Sequence, residues 1–177
     1  MRARADDRLD RQRPMRPGAR TRATVPSRLF ALVVLAAVAS TLVSVPRAAA
    51  LSAEIEQALR TSTYVYIASK RKDGSFGKPA EIWFMYHDGA VWVASPTTTW
   101  RAKRIKANRP KARIAVGKLD GPTFKAKGSV VKDPALYEEM YRTFAKKYPD
   151  GWPKYEQQFR KGLADGSRVL IKYEPVK

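Results

Sequence analysis

The sequence contains no cysteine and a single histidine, His87. Disulfides, thiol nucleophiles and cysteine-ligated metal sites are therefore excluded. One imidazole cannot form a histidine cluster around a metal, and a Ser-His-Asp triad would have to rest on His87 alone. Acidic residues are also scarce, 16 Asp and Glu against 35 Lys and Arg. Asp73, Asp88, Asp120 and Asp133 fall at turns or caps, and they leave no evident carboxylate pair for acid–base work. What these absences leave open is chemistry carried by a cofactor, with the protein supplying binding and electrostatics.

What the chain has in excess is positive charge, a net +19 over 177 residues. That excess points to anionic partners: nucleic acid, acidic lipid or a phosphorylated small molecule. The length suits one domain. The first fifty residues differ from the rest, with ten Arg, no Lys and no Glu. Residues 1–28 lack apolar periodicity and are expected to be disordered. Leu29 to Val45 is uncharged, and Ala48 to Ala50 give an Ala-x-Ala ending. A basic n-region, an apolar h-region and that ending read as a signal peptide cleaved after Ala50, so export to the periplasm or beyond is expected. Uncleaved, the same segment would be a membrane anchor with its Arg-rich end in the cytoplasm. A mis-assigned start codon would leave the domain cytoplasmic.

The folded part is expected from Leu51 to Lys177. Ser52 can cap a first helix with Glu54 and Glu56 at its positive end. Strands are predicted at Tyr64 to Ser69, Ala80 to Tyr86 and Ala90 to Ser95, with Asp73-Gly74 and Asp88-Gly89 turns. Trp83 and Trp92 are large for a solvated face, so this sheet must pack on both sides or bind something flat. Trp100 onwards suits a helix capped by Thr98 or Thr99, which Pro110 ends. Arg113 to Lys118 and Thr123 to Val131 are further strands. Asp133 caps a helix with Pro134 at its first position. The segment from Tyr148 to Pro153 is an aromatic loop, Tyr155 to Leu163 a short helix, and Arg168 to Tyr173 the closing strand. Six short strands without βαβ alternation fit a small barrel flanked by helices, a mostly β fold.

The sharpest chemical feature is Thr97 to Arg104, TTTWRAKR. Hydroxyls, helix N–H groups and an Arg fork suit phosphate; the plainer reading is a solvated basic helix face. Lys70, Arg71 and Lys72 read as a soluble hairpin tip, and His87 as a turn residue. Tyr148, Trp152 and Tyr155 are core aromatics or a lid over a flat ligand, the core being favoured. A basic nucleic-acid-binding barrel with stacking aromatics ranks low, since export makes that partner unexpected.

The order IAS, DG, IWFMYHDGAVWVAS, TTTWRAKRIKAN, a Gly-Pro turn, KGSVVKDP and RVLIKYEP resembles the pyridoxamine 5'-phosphate oxidase-like family from Leu51 to Val176. The resemblance implies a six-stranded split β-barrel of the FMN-binding type, a homodimer with FMN or a deazaflavin at the subunit interface, and oxidoreductase activity on a small-molecule redox substrate. A protein of the same fold that holds a flavin- or haem-type ligand without turnover is the alternative. The resemblance assigns the phosphate to Thr97, Thr98, Thr99, Arg101, Lys103 and Arg104. It assigns the ring to Ile67, Ala68, Ser69, Ile82, Trp83, Phe84, Ala94 and Ser95, and part of the substrate pocket to Tyr148 and Trp152. No catalytic side chain is expected. The chain ends at Lys177 without the Arg- and His-rich tail that grips pyridoxal substrates, so pyridoxamine phosphate oxidation itself is not expected.

Overall fold

A computed structural model describes residues 50–177; the signal-segment reading falls on residues 1–49, outside them. The elements are α1 (Ala53–Thr61), β1 (Tyr64–Ser69), β2 (Ala80–Trp83), β3 (Met85–His87), β4 (Ala90–Pro96), α2 (Trp100–Lys106), β5 (Lys111–Val116), β6 (Thr123–Val131), α3 (Pro134–Lys147), α4 (Trp152–Asp165) and β7 (Arg168–Pro175). All strand pairs are antiparallel, in the order β2-β1-β5-β6-β7-β4-β3.

The segment expected as one strand, Ala80 to Tyr86, is two strands broken at Phe84. β2 pairs with β1 through Ile82↔Val65, while β3 pairs with β4 through Met85↔Trp92. One stretch of chain thus lies on both edges of the sheet and nearly closes it into a barrel, which makes seven strands instead of six. At the break the ladder bonds of Phe84 are replaced by side chains. Its N–H donates to the Tyr148 hydroxyl at 2.9 Å, and its carbonyl accepts from Lys147 Nζ at 3.3 Å. Buried backbone groups need such partners.

Period-two alternation divides β4 between two apolar cores. On β4, Val91 and Val93 face the barrel interior with Val65, Ile114, Ile171 and Tyr173, closed at one end by Leu59 of α1. Ala90, Trp92 and Ala94 face outward onto Met140, Tyr141, Phe144 and Leu163 of α3 and α4. The sheet therefore packs on both sides here, as the two tryptophans require. On β6 the alternation is one-sided: Phe124, Ala126 and Gly128 are buried, and Lys125 and Lys127 are exposed.

Local chemistry sets the ends of the elements. Ser52 Oγ accepts from Ile55 N–H at 3.3 Å, and Asp133 Oδ1 accepts from Ala135 and Leu136 N–H at 2.9 and 3.3 Å. The β3–β4 turn has φ 51° at Asp88 and 67° at Gly89, both left-handed, as a two-residue Asp-Gly hairpin demands. α4 starts at Trp152, three residues before the expected Tyr155, because Pro153 suits a helix's first turn. Among the described residues no helix is long and apolar enough to cross a membrane.

Candidate functional site

α2 follows directly from β4 and lies over an end of the barrel. Its seven residues divide by helical position. Ala102 is buried, Ile105 packs against the interior core, and Arg101 and Arg104 (one turn apart) turn towards β1. There they meet a cavity of about 630 Å³ lined by Ile67, Ser69, Arg71, Gly77, Lys78, Ala80, Thr99, Trp100, Arg101 and Arg104. That volume lies within the roughly 300–1,000 Å³ of small-molecule sites.

The electrostatics of this cavity are one-sided. Arg71, Lys78, Arg101 and Arg104 line it, and no carboxylate does. Arg101 Nη1 donates to Ser95 Oγ at 3.0 Å, and Ser95 is wholly buried. Burial lowers the Arg101 pKa, yet among the described residues it has no ion-pair partner. A guanidinium stays protonated in proteins, so this is a desolvated cation that favours an incoming anion. Arg104 Nη1 donates to Ser69 O at 2.8 Å. This close fit depends on Gly77, where an added Cβ would lie 3.0 Å from Arg104 Nη1. Beside Arg101, the Tyr173 hydroxyl is buried with no hydrogen-bond partner, and burial pushes its pKa up to about 12. At the mouth, Trp100 is 70% exposed, with Arg104 and Lys103 at 5.6 and 5.4 Å from its ring.

The structure brings together five of the sequence-assigned residues: Ile67, Ser69, Thr99, Arg101 and Arg104 line the cavity, and Ser95 supports Arg101 from beneath. The others lie elsewhere. Ala68 faces a separate depression with Tyr66 and Arg113. Ile82 packs on the interior core, and Phe84 is wholly buried in it. Ala94 is buried in the outer core. Trp83 stacks on Tyr148 at 4.4 Å with rings 6° apart, so its face is already covered. Thr97 Oγ1 donates to Ser167 O at 3.1 Å, on the far side of α2, where Lys103 also lies. Thr98 is exposed and lines no cavity among those described. Thr99 holds the N-cap position, but its hydroxyl donates backwards to Pro96 O at 2.8 Å instead of capping.

Tyr148 and Trp152, assigned to a substrate pocket, are core residues, 5% and 3% exposed. Both pack on Phe144, and Tyr148 ties the strand break to Thr63, whose carbonyl accepts its hydroxyl at 2.7 Å. Burial raises the Tyr148 pKa well above the usual phenol range.

Arg71, Gly77, Lys78, Ala80 and Trp100 were missed by sequence reasoning. Arg71 and Lys78 sit on the β1–β2 connection, which folds back so that Gly77 N–H donates to Ser69 O at 3.0 Å. The second glycine of DGSFG was the available signal, since a glycine outside the turn itself marks a close approach. His87 lies away from the cavity, its Nδ1 2.8 Å from Glu139 Oε1. No group of three or more His, Asp or Glu that could hold a metal exists among the described residues.

No family model matches the sequence. No curated protein matches it either. Its fold does match solved structures. The heme storage protein HutZ of Vibrio cholerae is 15% identical, with 73% of this chain and 92% of that one covered at a TM-score of 0.52. A conserved hypothetical protein of Mycobacterium tuberculosis is 15% identical, with 72% and 82% covered at a TM-score of 0.53. An F420 reductase is 22% identical, with 69% and 93% covered and a TM-score of 0.46. At such identities the likeness is one of fold. That fold is the split barrel, the architecture that the sequence resemblance implies.

Proposed function

We propose that the protein is an oxidoreductase that binds FMN or a deazaflavin as a homodimer, with the cofactor's phosphate end in the cavity beside α2. The observation that carries this reading is Arg101: a partly buried guanidinium without a carboxylate partner among the described residues, facing a small-molecule-sized cavity that three further cations line. Arg101 and Arg104 would grip phosphate oxygens, with Arg71 and Lys78 adding charge from the β1–β2 connection. Ile67 and Ala80 supply an apolar wall for the group attached to that phosphate. The bound cofactor supplies hydride chemistry at its ring. The chain's own part is to fix the anion, keep Arg101 oriented through Ser95 and exclude water with the interior core. Trp100, exposed at the mouth, supports an arrangement in which a second subunit covers the site.

The fold likeness to a heme storage protein raises a haem-type ligand as the competing reading. The lining residues argue against it, because they include no His, Met or Tyr to bind iron.

Titration of the purified protein with FMN, deazaflavin and haem decides between these readings. Quenching of flavin or deazaflavin fluorescence at micromolar concentration or below is expected. Arg101→Ala should weaken that binding by roughly 10–100-fold, the equivalent of one or two lost charge-assisted hydrogen bonds. Binding of haem in preference to both, or flavin binding that ignores Arg101→Ala with Arg104→Ala, would overturn the proposal. Sedimentation checks the dimer, and hydride transfer to or from the bound cofactor checks turnover.

A further inference from the structure

A second and larger cavity, about 890 Å³, lies on the opposite side of α2. Its walls come mainly from four parts of the chain, with Thr97 and Tyr137 beside them: Ala102, Lys103 and Lys106 of α2, Val130 and Val131 with Lys132 at the end of β6, Leu163 to Gly166 closing α4, and Arg168 with Val169 opening β7. None of this surface belongs to the first cavity, whose α2 residues are Trp100, Arg101 and Arg104.

The two halves of this lining differ in character. The apolar half is almost wholly aliphatic: Ala102, Val130, Val131, Leu163 and Val169, with Tyr137 as its one aromatic. Val130 is 42% exposed, so this apolar wall is open to a ligand from the solvent side. The polar half is cationic. Lys106 and Lys132 stand exposed at the rim, and Arg168 is partly buried deeper in. None of the three has an ion-pair partner among the described residues. Arg168 is held in place by its bond to Ala94 O at 3.2 Å and by the Phe159 ring 4.0 Å away. Asp165 is the one acid of the lining, and its carboxylate already accepts from Ser167 N–H at 2.8 Å.

We infer that this cavity is a binding site for an aliphatic carboxylate, its chain on Val130, Val131, Leu163 and Val169 and its carboxylate between Lys106, Lys132 and Arg168. Charge complementarity fixes the sign of the head group. The aliphatic walls favour a saturated chain over a flat ring, which would gain more from aromatic neighbours. The inference does not depend on the cofactor reading, since the two cavities take different faces of the same helix.

The test is calorimetric titration of the full chain with decanoate, below the concentration at which decanoate self-associates, with decanol as the neutral control. One saturable site per chain is expected, with decanol at least about ten-fold weaker, the equivalent of a lost charge-assisted contact. Lys106→Glu combined with Lys132→Glu should weaken decanoate by about ten-fold or more on the same reasoning. Both lysines are exposed, so this variant should fold, and an unchanged thermal midpoint without ligand verifies that. Decanoate should bind equally well to protein saturated with FMN. Equal affinity for decanol, indifference to the double charge reversal, or displacement by FMN would each overturn the inference. If the protein binds decanoate but not FMN, the cofactor proposal falls and this one stands.

Discussion

Replacing Tyr148 by Phe tests how the barrel is closed. The ring would remain, with its stack on Trp83 at 4.4 Å and its edge contact with Phe144 at 5.3 Å. What disappears is one hydroxyl, which accepts from Phe84 N–H at 2.9 Å and donates to Thr63 O at 2.7 Å. The Phe84 amide gains no other partner, because it is buried at the break between β2 and β3, whereas Thr63 is exposed and water can reach its carbonyl. An unsatisfied buried donor or acceptor costs about 1–3 kcal/mol. Because only the Phe84 amide is left buried and unpaired, the expected cost is about 1–3 kcal/mol. For a domain of this size that corresponds to a fall in Tm of roughly 3–12 °C. Differential scanning calorimetry measures it directly. Because the hydroxyl faces the core, FMN affinity should stay within about two-fold of wild type, a change of under half a kcal/mol. A Tm within a degree or two of wild type would refute the closure argument. A large loss of ligand affinity with unchanged Tm would restore the loop as part of a pocket.

Gly77→Val should push Arg104 away from Ser69 and weaken anion binding by several-fold, with little change in Tm; titration with FMN or inorganic phosphate follows it. Lys147 gives a pH signature. Burial over Phe84 lowers its pKa from 10.5 to about 8, so below pH 8 the native state holds a proton that the unfolded chain binds more readily. Stability should therefore rise as pH increases from about 8 towards 10.5. Relative to Lys147→Met, wild type should gain about 1 kcal/mol between pH 7 and pH 10, after discounting for the exposed part of the side chain and the favourable ring contact; urea unfolding at both pH values reads it, and a flat difference refutes it. Export predicts a mature N-terminus near Leu51, which N-terminal sequencing of the secreted protein checks.

Much of the fold was legible because its signals are local. Ser52 and Asp133 cap the helices they precede, Asp88-Gly89 turns the hairpin as an αL pair must, and β-branched runs alternate in period two. These preferences act over a few residues and need no knowledge of the rest of the chain. The composition likewise removed thiol, histidine-cluster and carboxylate-pair chemistry, and the run TTTWRAKR offered Thr97 to Arg104 as a candidate anion-binding segment.

Long-range packing decided the rest. Nothing near Phe84 signals a strand break; the break exists because Ala80 to His87 must serve both edges of one sheet, and residues about sixty positions away replace its lost bonds. A basic helix gives no local sign of which cations turn inward. Burial of Ala102 and Ile105 sets its rotation, which sends Arg101 and Arg104 to one cavity and Lys103 and Lys106 to another. Two of the three threonine hydroxyls, equally free in sequence, are taken up by backbone: Thr99 by Pro96 O and Thr97 by Ser167 O. Arg71 resembles a solvated tip until the chain folds back at Gly77. Sequence by itself determined most of the elements and the chain's excess of positive charge. Tertiary structure alone decided which side chains share a cavity, because that depends on contacts between segments that sequence spacing does not encode.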